Sequence, residues 1–246
     1  MQCLPLSFFR CNDDLVLCAP GHLRQMGGCS VNSVGIIPAG GRAQRFNGVL
    51  KELLPVGEES LMRRTVGVLR GGAATSIIVL SAPDKVAAHM RGLEGLYGIY
   101  FVQSDEVLFK SILRACEIPA SWYLFAMPDT FLPEDAFYRK LDDDFVLGIF
   151  KTDRPEKFGV CIGTGINDKD ESLKGTTQWA WGVAAWSHRI RDFWLARAGT
   201  IQNHTEAFNL AMTRFGWRSF HLAYYHDIAS WLDYETLVKD VLPLHR

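Results

Sequence analysis

Four short apolar runs, at residues 34–37, 76–80, 99–102 and 122–126, constrain the fold most strongly. Each is too short for a helix and apolar nearly throughout, the pattern of strands buried on both faces of a parallel sheet. The segments between them carry apolar residues at helical spacing. Leu61, Thr65, Val68 and Leu69 form one such face, ended by Gly71 and Gly72. A short helix is expected over 84–90, just behind Pro83, and Phe109, Ile112, Leu113 and Cys116 mark a third. Strand and helix therefore alternate through the first 130 residues. That alternation predicts an α/β fold with a doubly wound, Rossmann-like, mostly parallel sheet.

Beyond residue 145 the pattern loosens. Strands are expected over 145–150 and 158–162, with a polar turn at 152–155 between them. The polar, charged stretch 167–175 reads as a mobile loop, and the aromatic stretch 177–186 as a strand. Phe208, Ala211, Met212 and Phe215 predict a helix, followed by a strand over 219–225 and a last helix from near Trp231. Pro133 is expected to open another short helix. No internal repeat, linker or low-complexity tract interrupts the chain, so residues 31–246 read as one domain.

The first thirty residues differ in character. They hold four of the six cysteines, Cys3, Cys11, Cys18 and Cys29, at spacings that match no common zinc pattern. Asp13 and Asp14 interrupt the segment and it lacks a basic start, so it is a poor signal peptide; residues 1–30 are expected to be a poorly ordered extension. Cys116 and Cys161 lie in apolar surroundings and read as buried free thiols, which points to a reducing, cytoplasmic setting. A formal charge of −1 over 246 residues argues against a dominant nucleic-acid surface. No apolar run approaches the roughly 18 residues that span a bilayer, so no membrane partner is expected.

The chemistry concentrates after the first strand, in the stretch GIIPAGGRAQRFNGVLKELLPVG over residues 35–57. Glycines let backbone N–H groups approach an anion, while Arg42, Arg45 and Lys51 supply positive charge. Such a turn suits a polyphosphate. In an open parallel sheet ligands bind beyond the carboxyl ends of the strands. Asp129 follows the fourth apolar run directly and so lies at the same end as the glycine turn. Its carboxylate has two readings, a magnesium ligand or a cap on the turn before Pro133.

The order AGG…R…K resembles the signature of the nucleotidyltransferase superfamily, and KELLPVG and MPDTFLPEDAF resemble its sugar-1-phosphate branch. The resemblance implies a sheet of the nucleotide-diphospho-sugar transferase type. It implies that Ala39, Gly40 and Gly41 bind the nucleotide, that Arg45 is the catalytic Arg and that Lys51 is the phosphate-binding Lys. Ala43 stands where the family carries another glycine. Gln103 resembles the Gln after the third strand that meets the nucleobase. Lys174 corresponds to a Lys that contacts the acceptor phosphate, and its alternative is a solvated loop residue. Asp129 becomes a Mg²⁺ ligand, and the run from Asp227 to Tyr234 resembles the family's second metal-binding block. In that run Asp227 is the second ligand, with Asp233 as a competing register.

The function implied is transfer of a nucleoside monophosphate from an NTP to a phosphorylated small molecule, foremost a sugar 1-phosphate, with release of pyrophosphate. Two alternatives accompany it. One is a molybdenum-cofactor or small-alcohol nucleotidyltransferase, suggested by the short gap from Arg45 to Lys51. The other is a non-catalytic nucleotide-binding protein of the same fold. A dehydrogenase is excluded by the lack of G-x-G-x-x-G spacing.

Overall fold

The computed structural model describes residues 7–11, 14–18, 31–41, 44–137 and 141–245. In chain order its strands are β1 (Ser7–Cys11), β2 (Asp14–Cys18), β3 (Val31–Ala39), β4 (Pro55–Val56), β5 (Glu59–Ser60), β6 (Ser76–Ser81), β7 (Ile99–Gln103), β8 (Ala120–Ala126), β9 (Thr130–Phe131), β10 (Phe145–Thr152), β11 (Gly159–Ile162), β12 (Gly165–Asp168), β13 (Gln178–Ser187), β14 (Arg218–His221) and β15 (His226–Asp227). The helices are α1 (Leu61–Gly71), α2 (Val86–Gly92), α3 (Leu108–Cys116), α4 (His188–Leu195), α5 (His204–Phe215) and α6 (Trp231–Thr236).

The main sheet runs in the order β12-β11-β13-β8-β3-β6-β7-β1-β2, with β10 joining β13 and β14 joining β10. β3 lies parallel to both β6 and β8, and β6 is parallel to β7. β13 runs antiparallel to β8, so the sheet is mixed but parallel at its centre. The four apolar runs are its central strands. Within the leading extension, β1 and β2 form an antiparallel hairpin against β7, and the rest of residues 1–30 lies outside the described residues.

Both sheet faces are covered. On one, α3, α4 and α5 pack an aromatic layer of Phe109, Phe145, Trp186, Trp194 and Phe208, with Trp194 and Phe208 stacked at 5.8 Å. On the other, α1 and α2 bury Met62, Val66, Leu69 and Leu93 against Ile37, Val79 and Leu124. A smaller cluster of Phe46, Leu54, Val56, Leu61, Phe131, Ile228 and Leu237 ties the loop after β3 to β9, β15 and the C-terminal helices. This cluster brings distant parts of the chain to one end of the sheet.

Several expectations are corrected. α2 begins at Val86, because residues 82–85 form a turn closed by Lys85 N–H donating to the Ala82 carbonyl. Among the described residues no helix opens at Pro133; residues 134–137 make a turn, with Ala136 N–H donating to the Pro133 carbonyl. The stretch 167–175 begins in β12, which pairs with β11, so part of the expected loop is strand. The strand expected over 219–225 is β14 alone, ending when Leu222 N–H donates to the Ile149 carbonyl and the chain turns toward β15. α4 was not anticipated, although Ser187 caps it and Ile190 and Trp194 repeat at helical spacing on its buried side. No helix among the described residues is long and apolar enough to cross a membrane.

Candidate active site

A cavity of about 1060 Å³ opens at the carboxyl ends of β3, β6, β7 and β8. Its wall includes Ala39, Gly40 and Gly41 after β3, and then Arg45 and Lys51 from the following loop. The segment Ser104, Asp105 and Glu106 after β7 and the segment Met127, Pro128 and Asp129 after β8 face it, as does Ala229. The glycine turn and the Asp129 turn, 90 residues apart in sequence, thus share one space.

Each part has a local cause. At Gly40 an added Cβ would overlap the Ser104 hydroxyl, so only glycine lets the loops after β3 and β7 meet here. Arg45 is exposed, on a 3₁₀ turn (Gln44–Phe46) anchored by Phe46, which is buried and packs on Trp231 at 4.9 Å. Arg42 and Ala43 lie outside the described residues. A second 3₁₀ turn, Lys51–Leu53, sends consecutive side chains in different directions. Lys51 Nζ pairs with Asp129 Oδ2 and donates to the Ile228 carbonyl at 3.3 Å. Glu52 turns inward and is 3% exposed.

Asp129 is positioned by its own turn. Thr130 Oγ1 donates to the Met127 carbonyl at 2.9 Å, and Ile228 N–H donates to the Asp129 carbonyl at 3.0 Å. β15 pairs antiparallel with β9, setting Asp227 opposite Thr130. Asp227 is therefore brought beside Asp129 by backbone pairing. Burial, and then the Asp129 charge, push the Asp227 carboxyl up to about 6, against the pull of Lys51. Asp129 Oδ1 is buried and has no hydrogen-bond partner. Asp233 has other work: it sits in α6, where Ser230 Oγ donates to its Oδ2 at 2.7 Å and accepts from its N–H at 3.3 Å, and it pairs with Arg154 at 3.6 Å.

The donor set suits a hard cation. Two repelling carboxylates, one of them with an orphaned buried oxygen, would be relieved by a divalent ion that prefers oxygen ligands. No group of three or more His, Cys, Asp or Glu fit to hold a metal occurs among the described residues. Mg²⁺ commonly takes one or two carboxylates and completes its shell with water and substrate phosphates.

The expected residues are not all gathered. Ala39, Gly40, Gly41, Arg45, Lys51 and Asp129 line the cavity, and Asp227 adjoins it through Asp129. Gln103 ends β7 but is absent from the wall, where Ser104, Asp105 and Glu106 stand instead. Lys174 is exposed at the end of the 3₁₀ turn Glu171–Leu173 and does not line the cavity. Sequence reasoning missed a buried network at the edge of the cavity. Glu52 Oε1 meets His89 Nε2 at 2.9 Å and Lys85 Nζ at 3.4 Å, and His89 Nδ1 meets Ser81 Oγ at 2.8 Å. The sequence signal is weak, since Ser81 ends β6, Lys85 closes the following turn and only His89 lies in α2. Both thiols are free, as expected, but only Cys116 is buried while Cys161 is half-buried; burial pushes Cys116 up to about 12 and Cys161 up to about 11.

Comparison with known proteins places this geometry. Residues 35–146 match the family model described as MobA-like NTP transferase domain. No curated protein matches the chain. Among solved structures, a Bacillus anthracis protein provisionally named glucose-1-phosphate thymidylyltransferase, in complex with a sucrose, is similar with a TM-score of 0.72 at 16% identity. That match covers 85% of this chain and 96% of the other. The inositol-1-phosphate CTP transferase of T. maritima is similar with a TM-score of 0.66 at 14% identity, over 87% of this chain and 95% of the other. At such identities the likeness is one of fold.

Proposed function

We propose that this chain, whose residues 35–146 match the model of a MobA-like NTP transferase domain, is an enzyme that transfers a nucleoside monophosphate from an NTP to a phosphorylated small molecule, foremost a sugar 1-phosphate. One observation carries this reading. Lys51 and the Asp129–Asp227 carboxylate pair meet across a cavity whose other wall is the glycine turn with Arg45. A nucleotide-binding protein without turnover has no need for a half-buried carboxylate set beside a buried one.

In the reaction an acceptor phosphate oxygen attacks the α-phosphorus in line. The new phosphoanhydride bond forms as the bond to the β-phosphate breaks, and the electron pair leaves with pyrophosphate. Mg²⁺, held by Asp129 and Asp227, would supply charge neutralisation at the phosphates. The chain's own groups bind and orient. Gly40 and Gly41 leave room for the triphosphate to approach the backbone. Arg45, exposed on the cavity wall, is free to swing onto the leaving pyrophosphate. Lys51, drawn toward Asp129 when no substrate is bound, exchanges that partner for a phosphate oxygen. Catalysis of this kind is positioning plus electrostatics, and no nucleophilic side chain is needed.

The test is pyrophosphate release over four NTPs and a panel of acceptors, including glucose 1-phosphate and inositol 1-phosphate, with Mg²⁺ or EDTA. Release with one pairing, lost in EDTA, is expected. Asp129→Asn is expected to lower turnover by roughly 100-fold or more, the scale for removing one preorganised electrostatic group. NTP binding with no release from any pairing would overturn the assignment in favour of a binding protein.

A further inference from the structure

At the edge of the cavity, bordered by Glu52, lies a buried set of polar groups that the reaction above does not use. Glu52 is 3% exposed, Lys85 6%, and Ser81 and His89 not at all. Ser81, His89 and Glu52 are linked in series, at 2.8 Å and 2.9 Å, in the manner of a nucleophile, base and acid. That reading fails on access, because a hydroxyl with no exposed surface meets no substrate. The network therefore acts on the structure around it. Burial by itself raises the Glu52 carboxyl. The hydrogen bond to His89, with the charge of Lys85, outweighs that and holds the group below its ordinary value. Glu52 is thus an anion inside the protein.

Its neighbour Lys85 makes a second contact. Besides Glu52, Lys85 Nζ donates to the carbonyl of Gly41. Gly41 is exposed, and a Cβ there would meet nothing within 4 Å, so no packing fixes the loop at this point. Glu52, for its part, belongs to the same 3₁₀ turn as Lys51. One buried charge pair is therefore tied to both phosphate-handling elements, the glycine turn through Lys85 and the Lys51 turn through Glu52. A buried ion pair is weak as a source of stability, since apolar residues of similar volume do as well or better. Its geometry is what apolar residues cannot replace. Lys85 draws the Gly41 carbonyl behind the wall and so withdraws the negative end of that dipole from the anion site. It also covers the charge of Glu52, which itself borders the cavity.

We propose that Lys85, braced by Glu52 and His89, is a positioning residue that fixes the glycine turn relative to Lys51 and so sets the affinity for the triphosphate. The inference rests on the function proposed above and goes beyond it by assigning residues that touch no substrate. It predicts that loss of Lys85 weakens triphosphate binding without reference to the base or the acceptor.

The probe is inorganic tripolyphosphate with Mg²⁺, titrated by calorimetry into the full chain, alongside thermal unfolding. Lys85→Met is expected to weaken binding at least tenfold, and Lys85→Arg, which keeps the charge and reach, to stay within about threefold of wild type. Because Lys85→Met strands Glu52, Glu52→Gln/Lys85→Met is measured as well. The double variant removes both charges and is expected to regain thermal stability while binding stays at least tenfold weak. Stability and affinity recovering together would overturn the proposal, since the role would then be structural only. So would a folded Lys85→Met chain that binds within twofold of wild type. A wild-type chain that binds no tripolyphosphate would overturn the proposed function itself, and this inference with it.

Discussion

Asp227 is held at a cost to the fold, and the cost can be measured. In the metal-free chain its carboxyl is moved from an ordinary 3.8 to about 6 by burial and by Asp129. A carboxyl whose folded value is raised is destabilising when ionised. The penalty is full above about pH 6, shrinks as pH falls between 6 and 4, and is gone below 4. At 1.36 kcal/mol per tenfold the displacement corresponds to roughly 3 kcal/mol at most. Asp227→Asn removes the charge and keeps the shape. In EDTA at pH 8 it is expected to be more stable than wild type by about 1–3 kcal/mol, or ~2–4 °C in Tm for each kcal/mol in a chain of this size. The gain should narrow steadily toward pH 4, and turnover should be lost throughout. Paired thermal melts at pH 8, 6 and 4.5 in EDTA check it. An Asn variant no more stable at pH 8, or a gain that does not shrink with acid, would refute the reasoning that burial and the neighbouring Asp129 raise the Asp227 carboxyl.

Gly40→Ala drives a methyl group into Ser104 and is expected to cost roughly 1–3 kcal/mol and weaken nucleotide binding; adding Ser104→Gly should recover both, read by chemical denaturation and calorimetry. Ser230→Ala removes the cap of α6 and should cost about 1 kcal/mol with turnover kept near wild type, since Ser230 engages Asp233 at that cap. Trp194→Ala empties the centre of the aromatic layer and should cost roughly 3–5 kcal/mol in urea unfolding without changing KM.

The central sheet was legible because strands buried on both faces cannot hide: the runs at 34–37, 76–80, 99–102 and 122–126 are all β-structure. The outer pieces were not, since their fates depend on partners far along the chain. β14 stops at His221 because its pairing with β10 stops there, a fact absent from residues 219–225 themselves. The same holds within the site. Gly40, Gly41, Arg45, Lys51 and Asp129 declared themselves by residue type at strand ends, and they share one cavity. Residue pattern favours Asp227 over Asp233, because more positions match and it follows an expected strand; the β9–β15 pairing puts Asp227 beside Asp129, while Ser230 engages Asp233. Glu52 gives no sign of its role in the sequence, since its partners lie 33 and 37 residues away.

The pairing of β9 with β15 has a consequence for how the molecule comes into being. Lys51 reaches the Ile228 carbonyl across 177 residues, and Asp227 finds Asp129 only once β15 has docked. Contacts that close so much chain are slow to form and are rewarded late. A chain that has not yet emerged past Asp227 holds only one of the two carboxylates, so the pair can form only after β15 has been made.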